Sequence, residues 1–455
     1  MIRFYLSLYA GKLFLVFARL FHKERSDKVA FLVDRICPRF LEYVSKPKDV
    51  IFVTGTNGKT TVTSFIAQGL KLNNKSVLYN DWGANLYSGH IRCFLDAVNI
   101  LNKPVIDSIV LECDEVTINK TTEKIKPNYV VVTNVCRDSI RRNAYPEYIK
   151  NKLDKAFDGL DDTVFILNAD DPLSSFICKK SKNKYFVSVN KLSEEARENS
   201  ANDFTCCPKC NGKIKYIYRH YRHIGKFKCT ECGFESIESN YKVTKVDYDN
   251  SLITLDKNDY KLVSPTIFNV YNESLAIVFF KLYGLNDDEI KDLFNNINVP
   301  ESRENVIEVN GYKIHMQLAK GQNGSACSTV FESLVKDNKP KRLILILDED
   351  YSSHNVSDAE ETITWFYDTD YEFLNNDCIK QIIIPSKLKY DYMLRLKMAG
   401  IDEAKFNCID DYKEAYKEID LNKKSDIYIL YEVDDRPLGL EVLDSLVKEI
   451  EGDNE

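Results

Sequence analysis

Asp49-Val-Ile-Phe-Val-Thr-Gly-Thr-Asn-Gly-Lys-Thr-Thr61 is an apolar run that stops at Thr54-Gly55 and gives way to helical spacing from Lys59 to Leu72. A glycine-bearing turn between a strand and a helix is where a phosphate cradle belongs. Gly55 and Gly58 let the backbone aim its N–H groups at phosphate oxygens, the following helix presents its positive end, and Lys59 adds a full charge. Thr60 can place its hydroxyl on Mg²⁺, and Thr56, Asn57 and Thr61 complete the loop. The full P-loop pattern wants glycine at position 53, which is Val53 here, so this is the tighter variant. The bland alternative is an ordinary glycine turn, and the strand–loop–helix context weighs against it.

Outward from the loop, runs of strand length and β-rich composition recur at Ser76–Tyr79, Ile106–Leu111, Tyr129–Thr133 and Thr163–Leu167, with helical patterns such as Glu147–Phe157 between several of them. Strands alternating with helices indicate an α/β fold with a mainly parallel sheet covered on both faces. The stretch 199–241 breaks this rhythm and reads as an insertion. Strand-like segments return at Ser251–Leu255 and Lys261–Ser264, followed by a helix candidate over Asn272–Tyr283. After Val299-Pro300 a second α/β pattern begins, with strands at Lys313–Leu318, Arg342–Leu347, Ile379–Ile384 and Asp426–Tyr431. The organisation expected is therefore an N-terminal helical segment (1–48) packing on the body, a central ATP-binding domain (49–300) interrupted by the insertion (199–241), and a Rossmann-like C-terminal domain (301–455).

Composition narrows the function. With 455 residues and 44% hydrophobic content the chain can bury two or three cores. Its 62 basic and 69 acidic residues leave a net charge of −7, which argues against nonspecific nucleic-acid binding as the main task. Phe4–Phe21 is apolar and aromatic but interrupted by Lys12 and Arg19, so it reads as an amphipathic helix packing on the body, or making a peripheral membrane contact, rather than as a spanning segment.

Five of the thirteen cysteines fall between Cys206 and Cys232. Cys207-Pro-Lys-Cys210 and Cys229-Thr-Glu-Cys232 are two C-x-x-C knuckles separated by eighteen residues. Two sulfur pairs on tight turns can close a tetrahedral Cys₄ shell around Zn²⁺, leaving no open position, so the metal expected is structural. A disulfide is the alternative, disfavoured in the reducing cytoplasm that the other, singly placed cysteines suggest. Cys206 reads as a bystander, and His220 and His223 as packing or surface residues rather than ligands.

The loop resembles that of the Mur ligase family, ATP-dependent enzymes that join amino acids to cell-wall precursors. Gly83-Ala-Asn-Leu86, Leu111-Glu-Cys-Asp-Glu115, Thr133-Asn134 with Arg137-Asp138, Leu167-Asn-Ala-Asp-Asp-Pro172 and Asn269-Val-Tyr-Asn272 resemble further family segments in the family's order. Carboxylates at the carboxyl ends of parallel strands face the crevice where a nucleotide lies, and Glu112 can reach Mg²⁺ held by Thr60 and the ATP phosphates. Asn168, Asp170, Asn269 and Asn272 are, by the resemblance, near the nucleotide. Lys320 aligns with the family's K-N-P-x-G segment and Arg303 with its hinge between central and C-terminal domains.

A ribbon inserted in a Mur ligase central domain resembles the MurT type, the ligase subunits of lipid II isoglutaminyl synthase. That resemblance implies a cytoplasmic enzyme, near the inner membrane face through its substrate, that uses ATP and Mg²⁺ to activate the D-isoglutamate carboxylate of lipid II. It also implies a GatD-like class I glutaminase partner supplying ammonia, a lipid-linked cell-wall precursor as acceptor, no nucleic acid and no transmembrane segment. The C-terminal domain departs from the family. Where the family carries an aspartate thought to complete the glutaminase's cysteine–histidine pair, alignment on Trp365 places Thr362, and Asp358 and Glu361 are the nearest stand-ins. Two alternatives stay open: a stand-alone Mur-type ligase joining an amino acid or ammonia to another carboxylate, and a zinc-ribbon nucleic-acid-binding ATPase, raised by the basic, aromatic stretch Arg219–Lys228.

Overall fold

Strand β1 (Asp49–Thr54) is buried along its whole length, as a strand must be when helices cover both faces of its sheet. The computed structural model describes residues 1–20, 28–80, 84–138, 145–178, 180–192, 202–298, 304–321, 323–347, 365–432 and 435–452. They fall into two units, the first comprising Met1–Cys136, Tyr145–Arg197 and Asp203–Val299, the second Arg137–Ala144, Glu198–Asn202 and Pro300–Glu455.

The first unit is built on β1 with β2 (Val77–Tyr79), β3 (Ser108–Glu112), β4 (Tyr129–Val132), β5 (Val164–Asn168) and β6 (Lys184–Val189); β7 (Ile214–Tyr221) and β8 (Ile224–Cys229) form a separate hairpin, and β9 (Tyr241–Asp247), β10 (Leu252–Leu255) and β11 (Asn258–Lys261) complete the main sheet. Its order is β11-β10-β9-β6-β5-β4-β1-β3-β2. Pairing is parallel from β2 to β9 and antiparallel across β9, β10 and β11. Because successive side chains on a strand point to opposite faces, β1 feeds two cores. Val50 and Phe52 join one with Ile109, Leu111, Val130 and Val132, while Ile51 and Val53 join the other with Val110, Val131 and Ile166.

Helices α1 (Ile2–Leu20), α2 (Lys28–Ile36), α3 (Phe40–Tyr43) and α5 (Tyr87–Ala97) contribute to the first core, and α4 (Lys59–Leu72) to the second. α1 lies close on its neighbours at Gly11, where a Cβ would sit 2.8 Å from Val33 Cγ2 and 2.9 Å from Leu95 Cδ2. No helix among the described residues is long and apolar enough to cross a membrane.

Two readings of the sequence shift here. The strand expected at Lys261–Ser264 is instead β11, three residues earlier: Asp256, at φ +56°, turns a tight hairpin in which Leu255 pairs with Asn258. The helix expected from Asn272 begins at Ile267, because Thr266 caps it by accepting a hydrogen bond from the Asn269 amide at 3.3 Å.

The second unit holds β12 (Glu304–Val309), β13 (Tyr312–Leu318), β14 (Lys341–Ile346), β15 (Ile379–Pro385), β16 (Phe406–Ile409) and β17 (Asp426–Tyr431), in the order β12-β13-β17-β14-β15-β16. Among the described residues of this unit only β12 pairs antiparallel. Leu343 and Leu345 face one core and Ile344 and Ile346 the other. The sequence does not announce β6 and β9 in the first unit or β12 and β16 here; the last two are edge strands, and over residues 305–309 and 406–409 the side chains are only partly covered, so neither carries a long apolar run. Within this unit Arg137 Nη1 pairs with Asp368 Oδ1 at 2.9 Å, and Asn323 Nδ2 donates to Asp138 Oδ1 at 2.8 Å.

Phe52 is fully buried on β1, an interior strand of the main sheet. Phe52→Ala is therefore expected to lower stability by about 3–5 kcal/mol, read from the urea unfolding transition; a loss below about 1 kcal/mol would contradict this packing.

Candidate active site

The loop after β1 is shaped by two residues in the left-handed region, Gly55 at φ +120° and Gly58 at φ +85°. Neither has room for a side chain. A Cβ at Gly55 would lie 2.4 Å from Thr133 Oγ1 and 2.7 Å from the Asn134 carbonyl, and one at Gly58 would lie 2.2 Å from Asn272 Oδ1. The loop is thus clamped between the end of β4 and the helix Ile267–Tyr283. Polar contacts continue the clamp: Thr56 N donates to Asn134 O at 2.8 Å, Thr133 Oγ1 to Asn57 O at 2.6 Å, and Asn134 Nδ2 to Asn57 O at 2.9 Å. Thr56 Oγ1 donates to the Cys136 carbonyl at 3.0 Å.

Gly58 caps α4, so Lys59, Thr60 and Thr61 form its first turn, where the helix dipole favours an anion. Lys59 Nζ reaches back to the Gly55 and Thr56 carbonyls at 2.5 and 3.1 Å and pairs with Glu115 Oε2 at 3.0 Å. Glu115 is almost wholly buried; the sequence places it in the acidic strand end Leu111–Glu115 but gives the metal role to Glu112, and its pairing with Lys59 is set by the fold. Glu112 is level with Val53 across β1 and β3, one strand spacing of about 4.8 Å away. Its Oε1 accepts from Asn85 Nδ2 at 3.3 Å, and its backbone is gripped by Asn80, whose Oδ1 accepts from Glu112 N at 2.8 Å. His90 Nε2 lies 3.1 Å from the Glu112 carbonyl; burial pushes this imidazole down to about 4, so it is neutral. The Thr60 hydroxyl and the Glu112 carboxylate are hard oxygen donors of the kind Mg²⁺ takes.

The other expected nucleotide contacts divide. Asn272 abuts Gly58, and Asn269 Oδ1 accepts from Asn272 Nδ2 at 3.3 Å. Asn168 and Asp170 are turned inward. Asn168 Nδ2 donates to the Thr133 carbonyl at 3.3 Å. Asp170 Oδ2 accepts from Val189 N and from the Tyr271 hydroxyl, both at 2.7 Å, and burial raises this carboxyl to about 6. Both residues brace the floor of the site. Its neighbour Asp171, not singled out from the sequence, accepts from Val135 N at 2.6 Å and Leu173 N at 2.9 Å, and meets His223 Nε2 at 3.3 Å. Burial works against the His223 imidazolium, but Asp171 and Asp203 outweigh it and raise the group above its ordinary value.

Lys320 belongs to the second unit, at the end of β13, with a left-handed φ of +52°. Arg303, Asp358 and Glu361 lie outside the described residues, as do Gly83 and Thr362.

In the insertion, Cys207, Cys210, Cys229 and Cys232 bring their sulfurs within 4.8 Å of one another, and none is in a disulfide. Cys207 Sγ lies 3.6 Å from Cys232 Sγ, and Cys210 Sγ 3.6 Å from Cys229 Sγ. A tetrahedron with Zn–S of about 2.3 Å has edges of about 3.8 Å, so the four thiols fit the ion. Amide N–H groups of Lys209, Gly212 and Glu231 point at the sulfurs at 3.4 Å, and the Cys232 amide helps lower Cys229 to about 6. Cys206 is exposed and outside this cluster, and His220 Nε2 lies 3.2 Å from the Val189 carbonyl. The hairpin β7–β8 between the knuckles is rooted on the site's floor, with Gly225 N donating to the Asp170 carbonyl at 2.8 Å.

Residues 53–207 match the Mur ligase middle domain family and residues 321–432 the MurT ligase C-terminal family. The lipid II isoglutaminyl synthase (glutamine-hydrolyzing) subunit MurT of Staphylococcus aureus (strain COL) is 29% identical over 384 residues, covering 82% of each chain. That of Streptococcus pneumoniae (strain ATCC BAA-255 / R6) is 26% identical over 408 residues, covering 89% of this chain and 88% of the other. Among solved structures, a pseudomurein peptide ligase type C from Methanothermus fervidus shares the fold with a TM-score of 0.68 at 20% identity, covering 92% of this chain and 84% of that one. The MurF ligase of Thermotoga maritima in complex with ADP shares it at 0.61 and 16% identity, over 94% and 85%.

Two outcomes follow from this geometry. Lys59→Ala should lower ATP turnover by about 10²-fold or more. It also strands the buried Glu115 carboxylate, so stability falls as well; adding Glu115→Gln should restore the melting temperature without restoring ADP release. Separately, the purified chain should carry about one Zn²⁺, and Cys229→Ser should lower both metal content and melting temperature. An iron–sulfur absorbance or no zinc by metal analysis would contradict the Cys₄ assignment.

Proposed function

We propose that this chain, a MurT-like Mur ligase, is the ATP-driven half of a lipid II amidation. As such it is an ATP-dependent, amide-forming ligase of peptidoglycan synthesis. The reading that goes further is that it converts the D-isoglutamate α-carboxylate of the lipid II stem peptide to the amide, with ammonia delivered by a GatD-like glutaminase. The observation that carries it is the similarity, along 82% of the chain, to proteins named as MurT subunits of a glutamine-hydrolyzing synthase.

The chemistry suits the site. A carboxylate is a poor electrophile because its leaving group would be oxide. Transfer of the ATP γ-phosphoryl group to a carboxylate oxygen releases ADP and gives an acyl phosphate. Ammonia then forms the C–N bond, phosphate leaves with the C–O electron pair, and the nitrogen gives up a proton. Little covalent chemistry is asked of the protein; its task is to position reactants and neutralise charge on the transferring group. Gly55–Gly58 and the first turn of α4 are assigned to the phosphates, Lys59 to their charge, and Asn269 and Asn272 to the nucleotide side of the loop. Thr60 and Glu112 would hold Mg²⁺, which supplies charge neutralisation at the phosphates. The Cys₄ cluster is assigned a structural Zn²⁺ that fixes the insertion against Asp170 and Asp171.

One observation favours a second reading. The aspartate expected near Trp365 to orient the glutaminase histidine is replaced by Thr362, and Asp368, just beyond, is already paired with Arg137. A stand-alone ligase using free ammonia or an amino acid would not need that aspartate.

The two readings part on a ratio. With a glutaminase partner present, Asp358→Ala or Glu361→Ala should depress glutamine-dependent activity by about tenfold or more and spare activity with added ammonia. A wild-type enzyme showing no glutamine dependence with any class I glutaminase would replace the subunit reading with the stand-alone one.

A further inference from the structure

Helix α1 has two apolar faces, and the packing accounts for one. Phe4, Ser7, Leu8, Gly11 and Leu15 are buried against the body. On the other side Ile2, Leu6, Tyr9, Leu13, Val16, Phe17 and Leu20 are exposed, from 48% for Tyr9 to 80% for Ile2. At about 100° per residue these seven fall within an arc of roughly 100°, opposite the buried set. Soluble surfaces carry scattered apolar residues, whereas a contiguous apolar stripe marks an interaction site.

Charge says what kind of surface this stripe suits. Arg3 lies on one flank of the stripe and Lys12 and Arg19 on the other, with Arg3 and Arg19 exposed and Lys12 half-buried. Residues 1–23 contain four basic residues and no acidic one, in a chain whose net charge is −7. The spacing 2-6-9-13-16-20 would also serve a helix pair. Pairing two copies, however, would bring basic flanks together with no carboxylate on the helix itself to answer them, whereas paired helices set complementary charges beside the apolar seam. An anionic bilayer answers both features, because its acyl boundary takes the apolar stripe and its phosphates take the flanking guanidinium groups. At about 1.5 Å per residue the helix is about 28 Å long, and it is not apolar enough to cross a membrane. It would therefore lie in the plane.

We propose that the outer face of α1 docks the protein on an anionic lipid surface, with Leu6, Leu13, Phe17 and Leu20 sunk at the headgroup boundary and Arg3 and Arg19 on lipid phosphates. The proposal is independent of the ligase reading, since it concerns the lipid matrix and not the acceptor.

The test is co-sedimentation of the full chain with vesicles free of any cell-wall precursor, made of phosphatidylcholine alone or of phosphatidylcholine with phosphatidylglycerol. Wild type should bind the anionic vesicles, and about tenfold less to neutral ones or at raised salt. Leu13→Glu with Phe17→Glu should lose about tenfold in binding at an unchanged melting temperature, because both side chains are exposed. Arg3→Glu with Arg19→Glu should abolish the preference for anionic vesicles. Absence of wild-type binding, or equal binding by the Leu13/Phe17 variant, would overturn the proposal. A wild-type dimer that the same variant splits, without vesicle binding, would overturn it in favour of a second copy of this chain.

Discussion

The site depends on how closely the backbone of the 55–58 loop approaches the end of β4 and the side of the helix Ile267–Tyr283. At Gly55 and Gly58 the neighbours stand where a Cβ would be, so the loop can hold this course only with glycine and only if Thr133, Asn134 and Asn272 stay in place. Those three are held in turn by the floor beneath them. Asn168 bonds the Thr133 carbonyl, Asp171 bonds the Val135 amide, and Asp170 ties Tyr271 of the helix to β6. A phosphate cradle made of backbone N–H groups is only as well aimed as the backbone is fixed, and here fixation comes from buried polar contacts rather than from the loop itself.

The cysteine insertion fits the same logic. Its hairpin meets the floor through Gly225 on the Asp170 carbonyl and through His223 between Asp171 and Asp203. A two-stranded hairpin alone is marginal in water. Ile214 and Phe227 root it in one core and Tyr221 and Ile224 in the other, and a metal closed by the two knuckles would add a cross-link holding His223 against the segment that positions β4.

How much of this was legible in the residues depends on what each part needs locally. The two glycines, the lysine and the strand–loop–helix order are local requirements of phosphate binding, and C-x-x-C pairs are local requirements of a metal knuckle, so both could be read directly. The strands buried along most of their length announced themselves as continuous apolar runs, whereas the half-covered β6 and β9 inside the sheet and β12 and β16 at the edge of theirs did not. Glu115 and Asp171 were invisible as partners because their importance is set by tertiary neighbours, Lys59 and His223, far away in the chain. Asp170 is placed near the nucleotide by the family resemblance alone, and its bonds to Val189 and Tyr271 depend on tertiary neighbours that the residues around it do not announce. The outer stripe of α1 was legible as apolar, but which of its residues would be covered depended on Gly11 bringing the opposite face against Val33 and Leu95.

The central claim is that the site activates a carboxylate by phosphorylating it. The most direct measurement is isotope transfer: the acceptor is labelled with ¹⁸O in the reacting carboxylate, turned over with ATP and ammonia, and the inorganic phosphate examined by mass spectrometry or ³¹P NMR. An acyl phosphate route predicts one ¹⁸O in each phosphate released, with ADP as the other product. Unlabelled phosphate, or label appearing in AMP, would contradict it.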